Sequence, residues 1–169
     1  MTNKPNNSGW IEVICGNMFS GKTEELIRRL RRAEIARLNV AIFKPKIDTR
    51  YEEGNIVSHN HLKLKSLLVE SATEIAPLSK DADVVGIDEV QFFNDAIIIT
   101  AKDLAASGKR VIIAGLDTDF RGVPFGPMPG IMCEADYLDK LQAICIVCGN
   151  PASYTQRLTK EAAQVVIGE

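Results

Sequence analysis

The chain has 169 residues, of which 46% are hydrophobic and 25% are charged, a balance typical of a soluble globular domain. Its formal net charge of -2 gives it no general attraction to nucleic acid or to anionic membranes, and no apolar run approaches the roughly 18 residues that span a bilayer. Residues 1–9 are polar and lack the apolar segment of a secretory signal. We therefore expect a cytoplasmic protein without nucleic-acid or membrane partners.

Short apolar runs alternate with helical patterns along the chain, and this alternation predicts an α/β fold with a mainly parallel sheet flanked by helices. The runs predict strands at Trp10–Cys15, Asn39–Phe43, Ser66–Val69, Asp83–Ile87 and Arg110–Leu116. The helical patterns cover Glu24–Leu38, Asp95–Ser107 and a short helix ending near Pro77, with a loop at Asp48–His61. From Lys140 onward the pattern changes to short strands around a turn, so we predict an α/β domain at 10–139 and a small lobe at 140–169.

The segment Gly16–Thr23 reads GNMFSGKT and matches the phosphate-loop motif G-x-x-x-x-G-K-[ST] at every fixed position. It follows a predicted strand and precedes a predicted helix, which is the context that the motif requires. Lys22 would reach the β- and γ-phosphates of ATP, and the hydroxyl of Thr23 would bind Mg²⁺. The predicted nucleotide site comprises Gly16, Asn17, Met18, Phe19, Ser20, Gly21, Lys22 and Thr23.

Two acidic residues, Asp88 and Glu89, directly follow the predicted strand Asp83–Ile87. Ligands of parallel sheets bind beyond the carboxyl ends of the strands, so this pair should face the phosphate loop. Asp88 suits the second acidic partner of Mg²⁺, and Glu89 suits a general base. The pattern leaves open whether Glu89 activates water, as in an ATPase, or a substrate hydroxyl, as in a kinase.

Several further strings occur in a specific order. They are DTRY at 48–51, IDEVQFF at 87–93, GLDTDF at 115–120, PFG at 124–126, CIVC at 145–148 and Tyr154-Thr155. Together with the phosphate loop they closely resemble the thymidine kinases of the cytosolic, zinc-containing type (type II). The resemblance runs from about residue 10 to the last residue.

This resemblance implies a RecA-like core and transfer of phosphate from ATP, with Mg²⁺, to the 5′-hydroxyl of thymidine and of deoxyuridine in nucleoside salvage for DNA synthesis. It makes Glu89 the general base and places Lys22 and Arg50 at the transferring phosphoryl group. Further nucleotide contacts map onto Asp88, Glu89, Val90 and Gln91. It also raises dTTP as a feedback inhibitor and implies a homotetramer.

The family's nucleoside pocket maps onto side chains and backbone groups that lie far apart in the chain. The residues are Met18, Phe92, Leu116, Phe120, Thr155, Val165 and Gly168. For Phe92, Leu116 and Phe120, ordinary core packing is an alternative explanation.

Cys145 and Cys148 form a C-x-x-C pair that we interpret as half of a structural zinc site in a zinc-ribbon-like lobe. In the family that the chain resembles, a second pair follows near the C-terminus. These 169 residues contain no such pair, which we interpret as a truncation; a redox pair is the alternative function of the two cysteines.

Two rival functions stay open. One is a RecA-like ATPase or helicase-type motor module in which Glu89 activates water. The other is a nucleotide-binding regulatory subunit that performs no chemistry.

Overall fold

The computed structural model describes residues 8–47, 55–57 and 63–158, and a six-stranded parallel sheet forms its centre. The strands are β1 (Trp10–Gly16), β2 (Val40–Pro45), β3 (Asn55–Val57), β4 (Lys63–Lys65), β5 (Leu67–Val69), β6 (Val84–Ile87), β7 (Arg110–Leu116), β8 (Tyr137–Leu141), β9 (Ala143–Ile144) and β10 (Pro151–Ala152). The central sheet has the order β5-β2-β6-β7-β1-β8, and every neighbouring pair is parallel. The carboxyl ends of β1, β6 and β7 therefore lie side by side.

Helices cover both faces of this sheet. They are α1 (Lys22–Ile35), α2 (Ile75–Leu78), α3 (Ala96–Ala106) and α4 (Met128–Cys133), with 3₁₀ turns at Ala72–Glu74 and Val90–Phe92. Successive side chains of a strand point to opposite faces, so the apolar run of β1 supplies two cores. Ile14 packs in the cluster that contains Leu26 and Leu30 of α1, whereas Val13 packs in the cluster that contains Ile97 of α3.

The five predicted strands and both long helices are confirmed, and their ends differ from the prediction by at most three residues. The first helix ends at Ile35 rather than Leu38, because Arg37 adopts a left-handed backbone conformation with φ 62°. The short helix at Ile75–Leu78 contains Pro77, where we expected a helix to end. None of the helices in the described residues combines the length and the apolar character that crossing a bilayer requires.

Four elements, β3, β4, α4 and β8, differ from the sequence prediction. The segment 48–61 was predicted to be a loop, but it contains β3, which pairs antiparallel with β4 at 63–65; the rest of that segment lies outside the described residues. Neither α4 nor β8 was predicted. Strand β8 spans both sides of the predicted boundary between residues 139 and 140, and the division into two domains stays a prediction.

Beyond β8, two short strands enclose a turn, as expected. Ala143 and Ile144 pair antiparallel with Ala152 and Pro151. The turn between them carries the C-x-x-C pair. The zinc-ribbon character of this region remains a prediction.

Candidate active site

The phosphate loop joins β1 to α1, and its backbone adopts conformations that glycine permits. Gly16 has φ 144° and Gly21 has φ 86°, in the range where a side chain is strained. A β-carbon on Gly16 would lie 2.3 Å from the carbonyl oxygen of Leu141, so β8 also excludes any side chain there. Phe19 has φ 63° and is 72% exposed, which places its ring outside the core. The loop therefore has the shape that its motif predicts.

Lys22 folds back across its own loop. Its Nζ donates a hydrogen bond of 2.6 Å to the carbonyl oxygen of Asn17, and the hydroxyl of Ser20 donates to the same oxygen at 2.8 Å. Burial lowers the pKa of Lys22, although the nearby carboxylates of Glu89 and Asp88 act in the opposite direction. The lysine is thus a half-buried cation that lies close to both members of the acidic pair.

Asp88 follows β6 at the carboxyl end of the sheet and is only 4% exposed. The hydroxyl of Thr23 lies 3.5 Å from its Oδ2, and the backbone N–H of Glu89 donates to its Oδ1 at 3.0 Å. Burial raises the pKa of Asp88, and the carboxylate of Glu89 raises it further. The predicted proximity of the acidic pair to the phosphate loop is therefore present in the structure.

Glu89 is half-buried and adopts a left-handed backbone conformation with φ 52° and ψ 38°. Such strain in a non-glycine residue amounts to about 1–3 kcal/mol and persists only where the surroundings impose it. Its Oε2 accepts a hydrogen bond of 2.5 Å from the side-chain amide of Gln91. In turn, the amide oxygen of Gln91 accepts from the backbone N–H of Leu116 at 3.0 Å, and this contact was not evident from the sequence.

Asn17 connects the phosphate loop to the C-terminal region. Its side chain is buried, its Oδ1 accepts from the N–H of Ala143 at 3.2 Å, and its Nδ2 donates to the carbonyl of Tyr154 at 3.4 Å. One residue on, the N–H of Met18 donates to the hydroxyl of Thr155 at 3.1 Å. The structure thereby brings together two residues of the predicted nucleoside pocket, Met18 and Thr155, that are 137 positions apart.

Comparison with known proteins identifies the family. The family model described as "TK: Thymidine kinase" matches residues 9–169. The chain is 58% identical over 160 residues to "Thymidine kinase" of Rhodothermus sp. (strain ITI 518), covering 95% of this chain and 75% of that protein. It is 55% identical over 161 residues to "Thymidine kinase" of Bacteroides fragilis (strain YCH46), covering 95% of this chain and 81% of that protein.

The chain belongs to the thymidine kinase family. Solved structures of low sequence identity resemble it in fold alone. The genome packaging NTPase B204 from Sulfolobus turreted icosahedral virus 2, in complex with sulfate, is 17% identical with a TM-score of 0.50, over 80% of this chain and 74% of that chain. This likeness agrees with the predicted P-loop architecture.

Three other residues of the predicted nucleoside pocket, Phe92, Leu116 and Phe120, are half-buried. Phe92 meets Phe125 edge to face at 5.5 Å between ring centroids, and Leu116 lies at the end of β7. The guanidinium of Arg157 lies 3.7 Å from the centroid of the Phe120 ring, which is a stacking distance. Phe92, Leu116 and Phe120 are therefore partly accessible, and their place in a nucleoside pocket stays a prediction. Neither Phe125 nor Arg157 was singled out from the sequence.

Three residues that the family resemblance assigned to the site, Arg50, Val165 and Gly168, lie outside the described residues. Their roles stay predictions. The same holds for the nucleotide contacts expected of Val90, which is fully buried in the 3₁₀ turn.

The two cysteines of the C-x-x-C pair lie in a tight turn and are not joined in a disulfide. The N–H of Gly149 donates to the carbonyl of Cys145 at 2.8 Å, and the side chain of Asn150 lies 3.6 Å from the sulfur of Cys148. Backbone N–H groups of Cys148 and Val147 lower the pKa of the Cys145 thiol. Among the described residues, no group of three His, Cys, Asp or Glu side chains is arranged to hold a metal ion.

Proposed function

We propose that the protein transfers the γ-phosphoryl group of ATP to the 5′-hydroxyl of thymidine, and of deoxyuridine, as a step of nucleoside salvage. The observation that carries this proposal is the convergence of Lys22, Thr23 and the Asp88–Glu89 pair at the carboxyl ends of β1 and β6. Membership of the thymidine kinase family supplies the acceptor.

In the proposed reaction, Glu89 accepts the proton of the 5′-hydroxyl while that oxygen attacks the γ-phosphorus in line. The bond from the γ-phosphorus to the bridging oxygen breaks, and ADP leaves. Lys22 and Arg50 stabilise the charge on the phosphoryl oxygens, which is the main catalytic contribution available in a loose phosphoryl-transfer transition state. Because Lys22 donates to the carbonyl of Asn17, it exchanges that bond for a phosphate oxygen when ATP binds.

Thr23 and Asp88 would be the protein ligands of Mg²⁺. Thr23 and Asp88 present two oxygens 3.5 Å apart, and Mg²⁺ is usually bound by one or two such groups together with substrate phosphates and waters. When bound with ATP, Mg²⁺ would neutralise phosphate charge. Asp88 must be ionised in that role, and the cation would oppose the effect of burial on its pKa.

We also propose that Cys145 and Cys148 are two ligands of a structural zinc ion. The turn directs N–H groups at the Cys145 sulfur, and such contacts favour the thiolate that zinc binds. The remaining ligands would come from outside the described residues, since none of these residues completes a group of three. A homotetrameric assembly and feedback inhibition by dTTP are further proposals that rest on the family resemblance alone.

The test of the proposed reaction is an assay of phosphate transfer from Mg–ATP to a panel of deoxynucleosides. We expect selective phosphorylation of thymidine and deoxyuridine. ATP hydrolysis without transfer to any nucleoside would favour an enzyme in which Glu89 activates water, and ATP binding without turnover would favour a regulatory subunit.

Glu89→Gln tests the base directly. Since a general base contributes roughly 10²–10⁴-fold, we expect kcat to fall by that factor while the affinity for ATP stays within about twofold. Glu134→Gln is the matched control, because that glutamate pairs with Lys102 at the surface and should tolerate the change. Near-normal turnover of Glu89→Gln would refute the assignment.

A further inference from the structure

Gln91 occupies an unusual position beside the proposed general base. It lies in the 3₁₀ turn Val90–Phe92, is only 2% exposed, and contacts Glu89 through its side chain rather than through its backbone. A buried amide needs partners for its oxygen and its nitrogen, and here both partners belong to the site.

The hydrogen bonds fix which way the amide faces. The backbone N–H of Leu116 can only donate, so the atom of Gln91 that lies 3.0 Å from it is the oxygen. The nitrogen then points at the carboxylate of Glu89. The backbone N–H of Leu116, at the end of β7, therefore orients the Gln91 amide so that its NH₂ group donates to the Glu89 carboxylate.

Close packing leaves the amide little freedom to turn. A β-carbon on Gly115 would lie 2.9 Å from the Oε1 of the Gln91 amide, and one on Gly126 would lie 2.4 Å from the backbone carbonyl oxygen of Gln91. Two glycines thus allow neighbouring backbone to approach Gln91 from two directions. A side chain confined in this way can hold a partner in one orientation.

We propose that Gln91 is a positioning residue that orients the carboxylate of Glu89 for phosphoryl transfer, rather than a residue that contacts ATP. This inference rests on the proposed role of Glu89 as general base. The strained backbone of Glu89 places its side chain toward the site, and Gln91 then selects one orientation of the carboxylate. Because Leu116 belongs to the predicted nucleoside pocket, the same amide links the base to the wall of that pocket.

Replacement by methionine tests the proposal, because methionine has a similar length and lacks both hydrogen-bonding groups. Misplacement of a catalytic group by about 1 Å can lower a rate by about 10²-fold, so we expect kcat of Gln91→Met to fall on the order of 10–100-fold. The KM for ATP should stay within about twofold. Gln142→Met is the control, since Gln142 is exposed and its amide bonds only the Ser153 hydroxyl among the contacts seen.

Gln91→Asn serves as a second variant if the methionine variant does not fold. It keeps a polar amide in the buried position but is one methylene too short to reach both Glu89 and Leu116. We expect the same fall in kcat. A normal kcat in either folded variant, including one whose only change is a higher KM for ATP, would overturn the proposal.

A double-mutant cycle with Glu89→Gln distinguishes positioning from a general structural role. If Gln91 acts through the Glu89 carboxylate, Gln91→Met should lower kcat by less than about threefold once that carboxylate is gone. Multiplicative losses would show that Gln91 does not act through Glu89, while the role of Glu89 itself would stand. Normal turnover of Glu89→Gln alone would instead overturn the proposed base, and with it the positioning role.

Discussion

A buried carboxylate beneath the phosphate loop is the most informative target for a stability measurement. Glu12 lies in the middle of β1 and is 7% exposed. It accepts hydrogen bonds from Trp10 at 2.7 Å, from Arg29 at 2.8 Å and from Arg110 at 2.6 Å. Arg29 belongs to α1 and also pairs with Asp139 of β8 at 2.6 Å, so the cluster joins the strand before the phosphate loop to the helix after it.

Glu12→Gln removes the central negative charge and keeps the shape of the side chain. Removing one partner of a buried ion pair leaves an uncompensated charge and usually destabilises a protein by about 3–5 kcal/mol. For a chain of this length each kcal/mol lowers Tm by about 2–4 °C, so we expect Tm to fall by about 6–20 °C. Arg29 keeps Glu25 and Asp139 as partners after this change, so mainly Arg110 loses its carboxylate, which makes the lower half of this range the better expectation.

Thermal unfolding followed by circular dichroism at pH 7 measures the change. Glu134→Gln is again the control, because an exposed pair contributes about 0–1 kcal/mol and its loss should lower Tm by less than about 4 °C. A fall in Tm of less than about 2 °C, which corresponds to less than about 1 kcal/mol in a chain of this length, would refute the reasoning.

The pH dependence provides an independent check. Burial raises the pKa of Glu12, but hydrogen bonds from Arg110 and Trp10 and the charge of Arg110 outweigh it, so the pKa lies below the ordinary 4.5. A carboxylate with a lowered pKa stabilises the fold above its unfolded pKa, and this contribution is lost as the pH falls through the folded value. The difference in Tm between the native protein and Glu12→Gln should therefore be constant above about pH 5.5, roughly one unit above the ordinary pKa of 4.5. It should shrink as the pH falls below 4.5.

Two further predictions concern the phosphate loop and the cysteine turn. Gly16→Ala should destabilise the fold by about 2–6 kcal/mol, from overpacking and backbone strain together, and should weaken ATP binding in a calorimetric titration. Gly149→Ala is its control, since Gly149 also has positive φ but open space around it; equal losses in both variants would exclude a role for the contact with Leu141. Elemental analysis should find zinc in the native protein and not in Cys145→Ser. Cys133→Ser alters an exposed cysteine outside the turn and should retain zinc. Zinc retained in Cys145→Ser would contradict the ligand assignment.

The sequence predicted the strands of the central sheet whose side chains are buried, and it missed β8, whose side chains are mostly exposed. β6 and β7 are continuous apolar runs because both faces of the sheet are covered. β8 contains Asp139 and Lys140 and is mostly exposed, so it has no apolar pattern. It is held by backbone pairing with β1 and by ion pairs to Arg29 and Asp117, which are contacts with distant residues.

The candidate site, like the fold, contains features that a local sequence string predicts and contacts that no local string predicts. The phosphate loop and the Asp88–Glu89 pair could be predicted because each is a local string in a required context, at the end of a buried strand. The contact of Gln91 with Leu116 joins residues 25 positions apart, and that of Asn17 with Ala143 joins residues 126 apart. Neither leaves a local pattern, because only the folded sheet brings the partners together.

Asn17 shows how such distant contacts can connect two parts of one reaction. Its carbonyl holds Lys22, and its side chain holds the segment that carries Thr155. A phosphate oxygen is a stronger partner for a lysine than a neutral carbonyl, because both groups are then charged. In the proposed reaction, transfer of Lys22 from Asn17 to the nucleotide would therefore change the contacts of a residue whose side chain also holds the segment with Thr155. Since the buried amide of Asn17 bonds both Ala143 and Tyr154, a variant that lacks this amide should weaken the connection between the phosphate loop and that segment.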